Sequence, residues 1–254
     1  MNKKQNRFPV FHVPHDGVLF PPKLMESVCV HKEQFFYYHE RMRDTGALKM
    51  VPLEWKNKEN TLYFPVSRLL CDVERFLGPE EPMERLGMGF CYERAFDGTR
   101  IKNISPELLQ ETLLFYRRHH DRLNHVCANH SRILLLDMHS FSDDIVPIDQ
   151  LHKGERTPDV CLGIENSFTP TILSSIAEDC LRADGFVTAR NYPYSGSLVP
   201  NVVLSENIQC DCATIMLEWN KRAYCDEHGR PVNVSIDRIR NIVGRIVKMA
   251  VDLI

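Results

Sequence analysis

Short apolar runs closed by polar or turn-forming clusters alternate with longer stretches in which apolar residues recur at helical spacing. The runs at Phe8–Val13, Ile133–Leu136, Asp159–Ile164, Gly185–Arg190 and Ala213–Asn220 predict strands, and Leu62–Val66 with Leu69–Val73 form a further apolar stretch broken at Ser67-Arg68. Ile133-Leu134-Leu135-Leu136 is aliphatic without alternation, as expected of a parallel strand buried on both faces, and it ends at Asp137-Met138-His139-Ser140. Helices are predicted over Lys32–Asp44, from Ser105-Pro106-Glu107 through Cys127, over Pro170–Ala183 and over Ile236–Ile254. Ser105 is a good N-cap and Pro106 is tolerated in the first turn. That helix feeds the Ile133 strand, consistent with a right-handed crossover. Residues 78–98 read as loop with a short strand at Gly89-Phe90-Cys91-Tyr92, and Ser142–Pro158 as a polar loop. The alternation predicts an α/β fold on a largely parallel sheet. Without repeat, low-complexity segment or linker, residues 1–254 read as one domain.

Composition narrows the function classes. The 254 residues are 43% hydrophobic and 26% charged, with net charge -3. This balance gives no electrostatic reason for a nucleic-acid or anionic-membrane partner. No apolar run approaches the ~20 residues of a membrane span. The basic stretch Met1–Arg7 is followed by too short an apolar run for a signal peptide, so a cytoplasmic location is expected. The nine cysteines read as small core residues; Cys210-Asp211-Cys212 lacks the second clip of a structural zinc site.

The candidate chemistry gathers at strand ends, where open α/β sheets bind ligands. His139 follows the central run. His15 follows the first strand within Pro14-His15-Asp16-Gly17, where Gly17 permits a tight turn with backbone close to a ligand. Glu33, Glu40 and Asp44 lie on the first predicted helix, and at least one carboxylate from this region could face the crevice. Arg75 follows an apolar stretch and suits a carboxylate clamp or an ion pair. His120 falls on the apolar side of its helix, as a satisfied core histidine or a crevice residue. The loop Asn191-Tyr192-Pro193-Tyr194-Ser195-Gly196-Ser197 offers several hydrogen-bond donors. Glu218 closes an apolar run beside Trp219, where a carboxylate is costly unless paired or used, and burial would raise its pKa toward that of a general base. Zinc catalysis needs three nitrogen or oxygen ligands, an open position and a base; His15, His139, an acid and Glu218 can supply them, although no His-Glu-x-x-His helix is present.

Six blocks in order, Pro14-His15-Asp16-Gly17, Ser67–Phe76, Asp137–Phe141, Asp159–Gly163, Asn191–Gly196 and Ile215–Asn220, together resemble the N-formylglutamate amidohydrolase family, and Tyr116–Leu123 resembles its histidine-bearing helix. The resemblance implies a three-layer α/β/α, zinc-exopeptidase-like fold with a mixed, mostly parallel sheet. It implies one Zn2+ ion held by His15, His139 and an acid, carried onto Asp44 with Glu33 as fallback. Glu218 matches the general base, Arg75 and Arg68 the substrate or oxyanion contacts, and His120, Asn191 and Ser195 further substrate contacts. Trp219 departs from the small or aliphatic residue expected there. The implied reaction is hydrolysis of an N-acyl amino acid, a small-molecule substrate, with N-formyl-L-glutamate leading. A peptide or cell-wall amide, or a non-catalytic ligand, are the other readings.

Overall fold

A computed structural model describes residues 6–78, 80–146, 156–205 and 208–254. Strands β1 (Phe8–Val13), β2 (Thr61–Tyr63), β3 (Arg132–Phe141), β4 (Val160–Gly163), β5 (Thr188–Arg190) and β6 (Asp211–Asn220) form one sheet, ordered β2-β1-β3-β6-β4-β5. β1, β2, β3 and β6 are parallel; β4 runs antiparallel to β6, and β5 follows β4. The helices are α1 (Pro22–Met25), α2 (Lys32–Met42), α3 (Ala47–Met50), α4 (Pro106–Asn129), α5 (Thr171–Ala183), α6 (Asn201–Leu204) and α7 (Asn233–Leu253). This is the expected α/β fold with a mixed, mostly parallel sheet.

The pairing of β1, β3 and β6 sets which residues share a face. His12 lies beside Asp137, and His139 beside Glu218. Because side chains alternate along a strand, Phe11, Leu136, Met138, Ile215, Leu217 and Trp219 point one way, into the core under α5 and α7. Ile239, Ile242, Val243, Ile246 and Val247 of α7 are buried there. Each such side chain contributes up to ~1.5–3 kcal/mol. The opposite face begins apolar, with Val10, Ile133, Leu135 and Cys212 against Leu123 and Cys127 of α4. It then turns polar toward the strand ends at His12, Asp137, His139 and Glu218. Ser105 Oγ accepts the Leu108 amide at 3.2 Å and starts α4. A third apolar cluster, including Phe35, Tyr38, Leu69, Leu70, Cys71 and Tyr92, packs beyond the sheet's end and supports the loops there.

Several expected boundaries move. The Ile133 run does not stop at Asp137: β3 continues to Phe141, so Asp137 and His139 belong to the strand. α2 ends at Met42 and Arg43 is extended, leaving Asp44 beyond the helix. Leu69, Leu70 and Cys71 are all fully buried, yet they form turns onto the Ser67 carbonyl, at 2.9 and 3.1 Å for the Leu70 and Cys71 amides. They pack into the loop-side cluster without a partner strand. Phe90 accepts one backbone bond from Asp72, at 2.8 Å, and residues 89–92 form no strand. The loop after β3 contains a short 3-10 turn, Asp143–Ile145; residues 147–155 of that loop and residues 1–5 lie outside the described residues. No helix among the described residues is long and apolar enough to cross a membrane.

Candidate active site

The adjacent strands β3 and β6, the turn after β1 and a third segment bring polar side chains to the C-terminal end of the β1–β3–β6 group. β3 and β6 present His139 and Glu218 on one face by their alternation. The turn after β1 carries His15, and it can lie flat because Gly17 has no Cβ: an added methyl would sit 2.4 Å from the Val66 carbonyl oxygen. The close approach expected at Gly17 is therefore to the chain at 65–66. The third segment follows α2. The Asp44 amide donates to the His15 carbonyl at 3.0 Å, and Asp16 accepts the Gly46 and Leu48 amides at 3.2 and 3.0 Å. Lys221, just past β6, donates its Nζ to the Arg43 carbonyl at 2.7 Å. These bonds fix Asp44 against His15.

The result is a buried group of His15, Asp44 and His139, whose ligand atoms all lie within 4.8 Å of one another. The two imidazole centroids are 5.1 Å apart. His139 Nδ1 is 2.9 Å from Asp44 Oδ2, and His15 Nδ1 is 3.6 Å from the same oxygen. His15 donates its Nε2 proton to Asp72 at 2.8 Å. That leaves Nδ1 of His15 buried and without a hydrogen-bond partner. Buried ring nitrogens are normally satisfied. Two imidazole nitrogens and a carboxylate converging on one point, one of them orphaned, fit a divalent cation that accepts nitrogen and oxygen donors.

Glu218 stands beside His139 and is buried. Among the described residues its carboxylate takes no hydrogen bond. Burial, with Asp44 and Glu74 adding to it against the pull of His139 and Arg68, pushes its pKa up from 4.5 to about 8.

A second layer surrounds the group. Asp72, fully buried, accepts from Arg68 Nη2 at 2.9 Å, the Tyr92 hydroxyl at 2.9 Å and the Glu74 amide at 3.0 Å, besides His15. Burial opposes its charge, but His15, Arg68 and Arg75 together hold it well below the usual carboxylate range. Arg75 donates Nε to the Met88 carbonyl at 3.3 Å and retains 23% side-chain exposure; Arg68 retains 14%. Glu74 reaches His139 Nε2 at 3.1 Å and His12 Nδ1 at 3.3 Å. Tyr194 feels Glu218, Arg68, Asp44 and Arg75, and burial first, then Glu218, raises its pKa.

Of the residues read from sequence, His15, Asp44, His139, Glu218 and Arg68 come together, with Arg75 one layer out on Asp72. Others do not join them. Glu33 is exposed on α2. His120 lies under the loop, Nε2 bonded to the Val73 carbonyl at 2.8 Å, where it braces the backbone between Asp72 and Glu74. Asn191, at φ 52°, uses Oδ1 to accept the Ile164 amide at 2.7 Å and shapes its own turn; Ser195 is exposed. Trp219 points to the opposite face against Phe186, centroids 5.4 Å apart, so it does not shape this site. Sequence reading missed the contacts that Asp72, Glu74, Tyr92 and His12 make around this group. For His12 the signal was a lone imidazole inside an apolar strand; Asp137 stands two positions before His139 and so on its face. A separate surface cavity of about 530 Å³, lined by Lys58, Arg122, His125 and His130 among others, contains none of these groups.

The sequence model of the N-formylglutamate amidohydrolase family matches residues 9–225. No curated protein matches the chain. Among solved structures, the crystal structure of N-formylglutamate amidohydrolase from Ralstonia eutropha JMP134 is similar, with a TM-score of 0.73 at 18% identity, covering 98% of this chain and 94% of that one. A gene product from Agrobacterium tumefaciens is similar with a TM-score of 0.62 at 16% identity, covering 94% and 90%. At these identities the structures speak for the fold; the family match takes in His15, Asp44, Asp72, His139 and Glu218, and the chain belongs to the N-formylglutamate amidohydrolase family.

Proposed function

We propose that this chain is a metal-dependent hydrolase that splits the amide of an N-acyl amino acid, with N-formyl-L-glutamate as the leading substrate. The observation that carries the reading is the orphaned, buried Nδ1 of His15 facing Asp44 and His139, with the unbonded Glu218 carboxyl alongside. His15, Asp44 and His139 would hold one ion, and zinc suits this donor set. When bound, the ion supplies a Lewis acid and lowers the pKa of water. The residue roles then follow from position. Glu218, once ionised, takes a proton from the attacking water as its oxygen bonds to the acyl carbon. The carbon–nitrogen bond breaks, and Glu218 returns the proton to the leaving nitrogen, giving a carboxylic acid and a free amine. Arg68 donates Nε and Nη2 to Asp72 and Nη1 to the Met42 carbonyl, and Arg75 is anchored to Met88 and Tyr92. Held this way, their remaining N–H groups can meet the oxyanion or a substrate carboxylate with little reorganisation.

The test is formate and glutamate release. Zinc-loaded protein is expected to release both in equal amounts from N-formyl-L-glutamate, and His139→Ala is expected to lose the activity. Failure to turn over any of a panel of N-acyl amino acids would count against this function.

A further inference from the structure

His12, Asp137 and His119 are absorbed by none of the roles above, yet all three are buried, at 1%, 2% and 3% exposure. They form an unbroken hydrogen-bonded line behind His139. His119 Nε2 is 2.8 Å from His12 Nε2, His12 Nδ1 is 2.8 Å from Asp137 Oδ1, and that oxygen is 3.1 Å from His139 Nε2. Asp137 Oδ2 accepts the Leu198 amide at 3.0 Å. We propose that Asp137 is a positioning residue that keeps the proton of His139 on Nε2, so that Nδ1 is the nitrogen presented to the ion, and that His12 and His119 hold Asp137 in place. This inference rests on the metal centre proposed above.

The chemistry runs in one direction. An imidazole that binds a cation through Nδ1 carries its proton on Nε2 and needs an acceptor there. Asp137 is that acceptor, and its contacts with His139, His12 and the Leu198 amide all place a donor on the carboxylate. An amide could not serve, since its NH2 would face a donor in either orientation. His12 Nδ1, Glu74 and Asp137 also have the size of a cation site. What separates this group from the first is satisfaction: both ring nitrogens of His12 and both oxygens of Asp137 already have partners, whereas His15 Nδ1 has none. The second triad is therefore a brace. Glu74 also touches His139 Nε2, at 3.1 Å, so losing Asp137 weakens the brace without abolishing it.

The experiment compares zinc affinity and histidine 15N–1H spectra of wild type, Asp137→Asn and Glu74→Gln. Wild type is expected to take up one zinc, with His139 protonated on Nε2. Asp137→Asn is expected to lose about 10–100-fold in zinc affinity and to show a share of His139 protonated on Nδ1, and Glu74→Gln is expected to lose less. If Asp137→Asn does not fold, His12→Phe, which removes one donor and keeps a ring against His119, is expected to show a smaller loss of the same sign. The inference alone is overturned if zinc affinity and tautomer are unchanged in the folded variant, if Glu74→Gln is the more damaging change, or if a second zinc binds and is lost in His12→Phe. A wild-type chain that binds no divalent cation overturns the metal centre as well.

Discussion

Glu218 and Asp72 are both buried carboxylic acids, and their surroundings push them in opposite directions. Asp72 gathers donors from His15, Arg68 and Tyr92 and stays ionised; Glu218 gathers none and is driven up to about 8. Replacing Glu218 by Gln should lower turnover by ~10²–10⁴-fold, as for loss of a general base, with zinc uptake retained; parallel metal and turnover assays check it. The same shift has a stability consequence in ion-free protein. Between 4.5 and about 8 the folded chain keeps a proton on Glu218 that the unfolded chain has released. The stability associated with that proton is fully present below 4.5 and is lost as pH rises through about 8. Thermal unfolding of stripped protein should show Glu218→Gln gaining on wild type progressively as pH rises from 4.5 through about 8, with no comparable gain at pH near 4. Glu218 was legible because one acid closes an apolar run. Asp72 was not, because its partners His15 and Tyr92 come from 57 and 20 residues away and meet it only in the fold.

At the scale of elements, Gly17 and Gly163 let the loops close over the sheet's end. A Cβ on Gly163 would lie 2.0 Å from the Gly196 carbonyl oxygen, so β4 and the loop after β5 touch only because that side chain is absent. Gly163→Ala should destabilise by ~1–3 kcal/mol through overpacking and lower turnover by shifting the Leu198 amide from Asp137; denaturant melts with steady-state rates test both. The strands and long helices were readable from apolar runs and helical spacing because burial alone dictates them. The polar half of β3 was misread as its end: Asp137 and His139 share a face with Leu135, and a change of polarity along one face looks in sequence like the strand stopping. The buried turn at Leu69–Cys71 was likewise unreadable, since consecutive apolar residues do not reveal whether a sheet or a loop cluster buries them. Asp44 was readable as an acid near the end of α2, but its position depends on Lys221 and Asp16, which lie far from each other in the chain.

Across the molecule, the distribution of charge supports the proposed metal centre. Asp44, Asp72, Glu74 and Asp137 are all held below the usual carboxylate range despite burial; Arg68 faces Asp44 and Asp72, Arg75 faces Asp72, and Lys221 lies near Asp44, while Glu74 and Asp137 are held down by His12 and His139. In the absence of an ion, protons take up the difference. His12 is raised to about 9 by Asp137 and Glu74 against the opposing effect of burial, and His139 is raised by the carboxylates around it, likewise against burial. A metal held at this site would therefore compete with protons. Zinc binding should release protons at neutral pH and weaken as pH falls, which titration calorimetry in buffers of different ionisation enthalpy resolves. Bound at a hundred times its dissociation constant, the ion should stabilise the fold by ~2.7 kcal/mol, and a chelator should remove that gain.

Anomalous diffraction at the zinc edge from zinc-loaded crystals asks the decisive question of where the ion sits. One peak is expected, ~2.0–2.1 Å from Nδ1 of both His15 and His139 and ~2.0–2.2 Å from an Asp44 oxygen. A peak bound instead by His12, Glu74 and Asp137, or none at all in protein that folds, would contradict the metal centre on which the proposed hydrolysis depends.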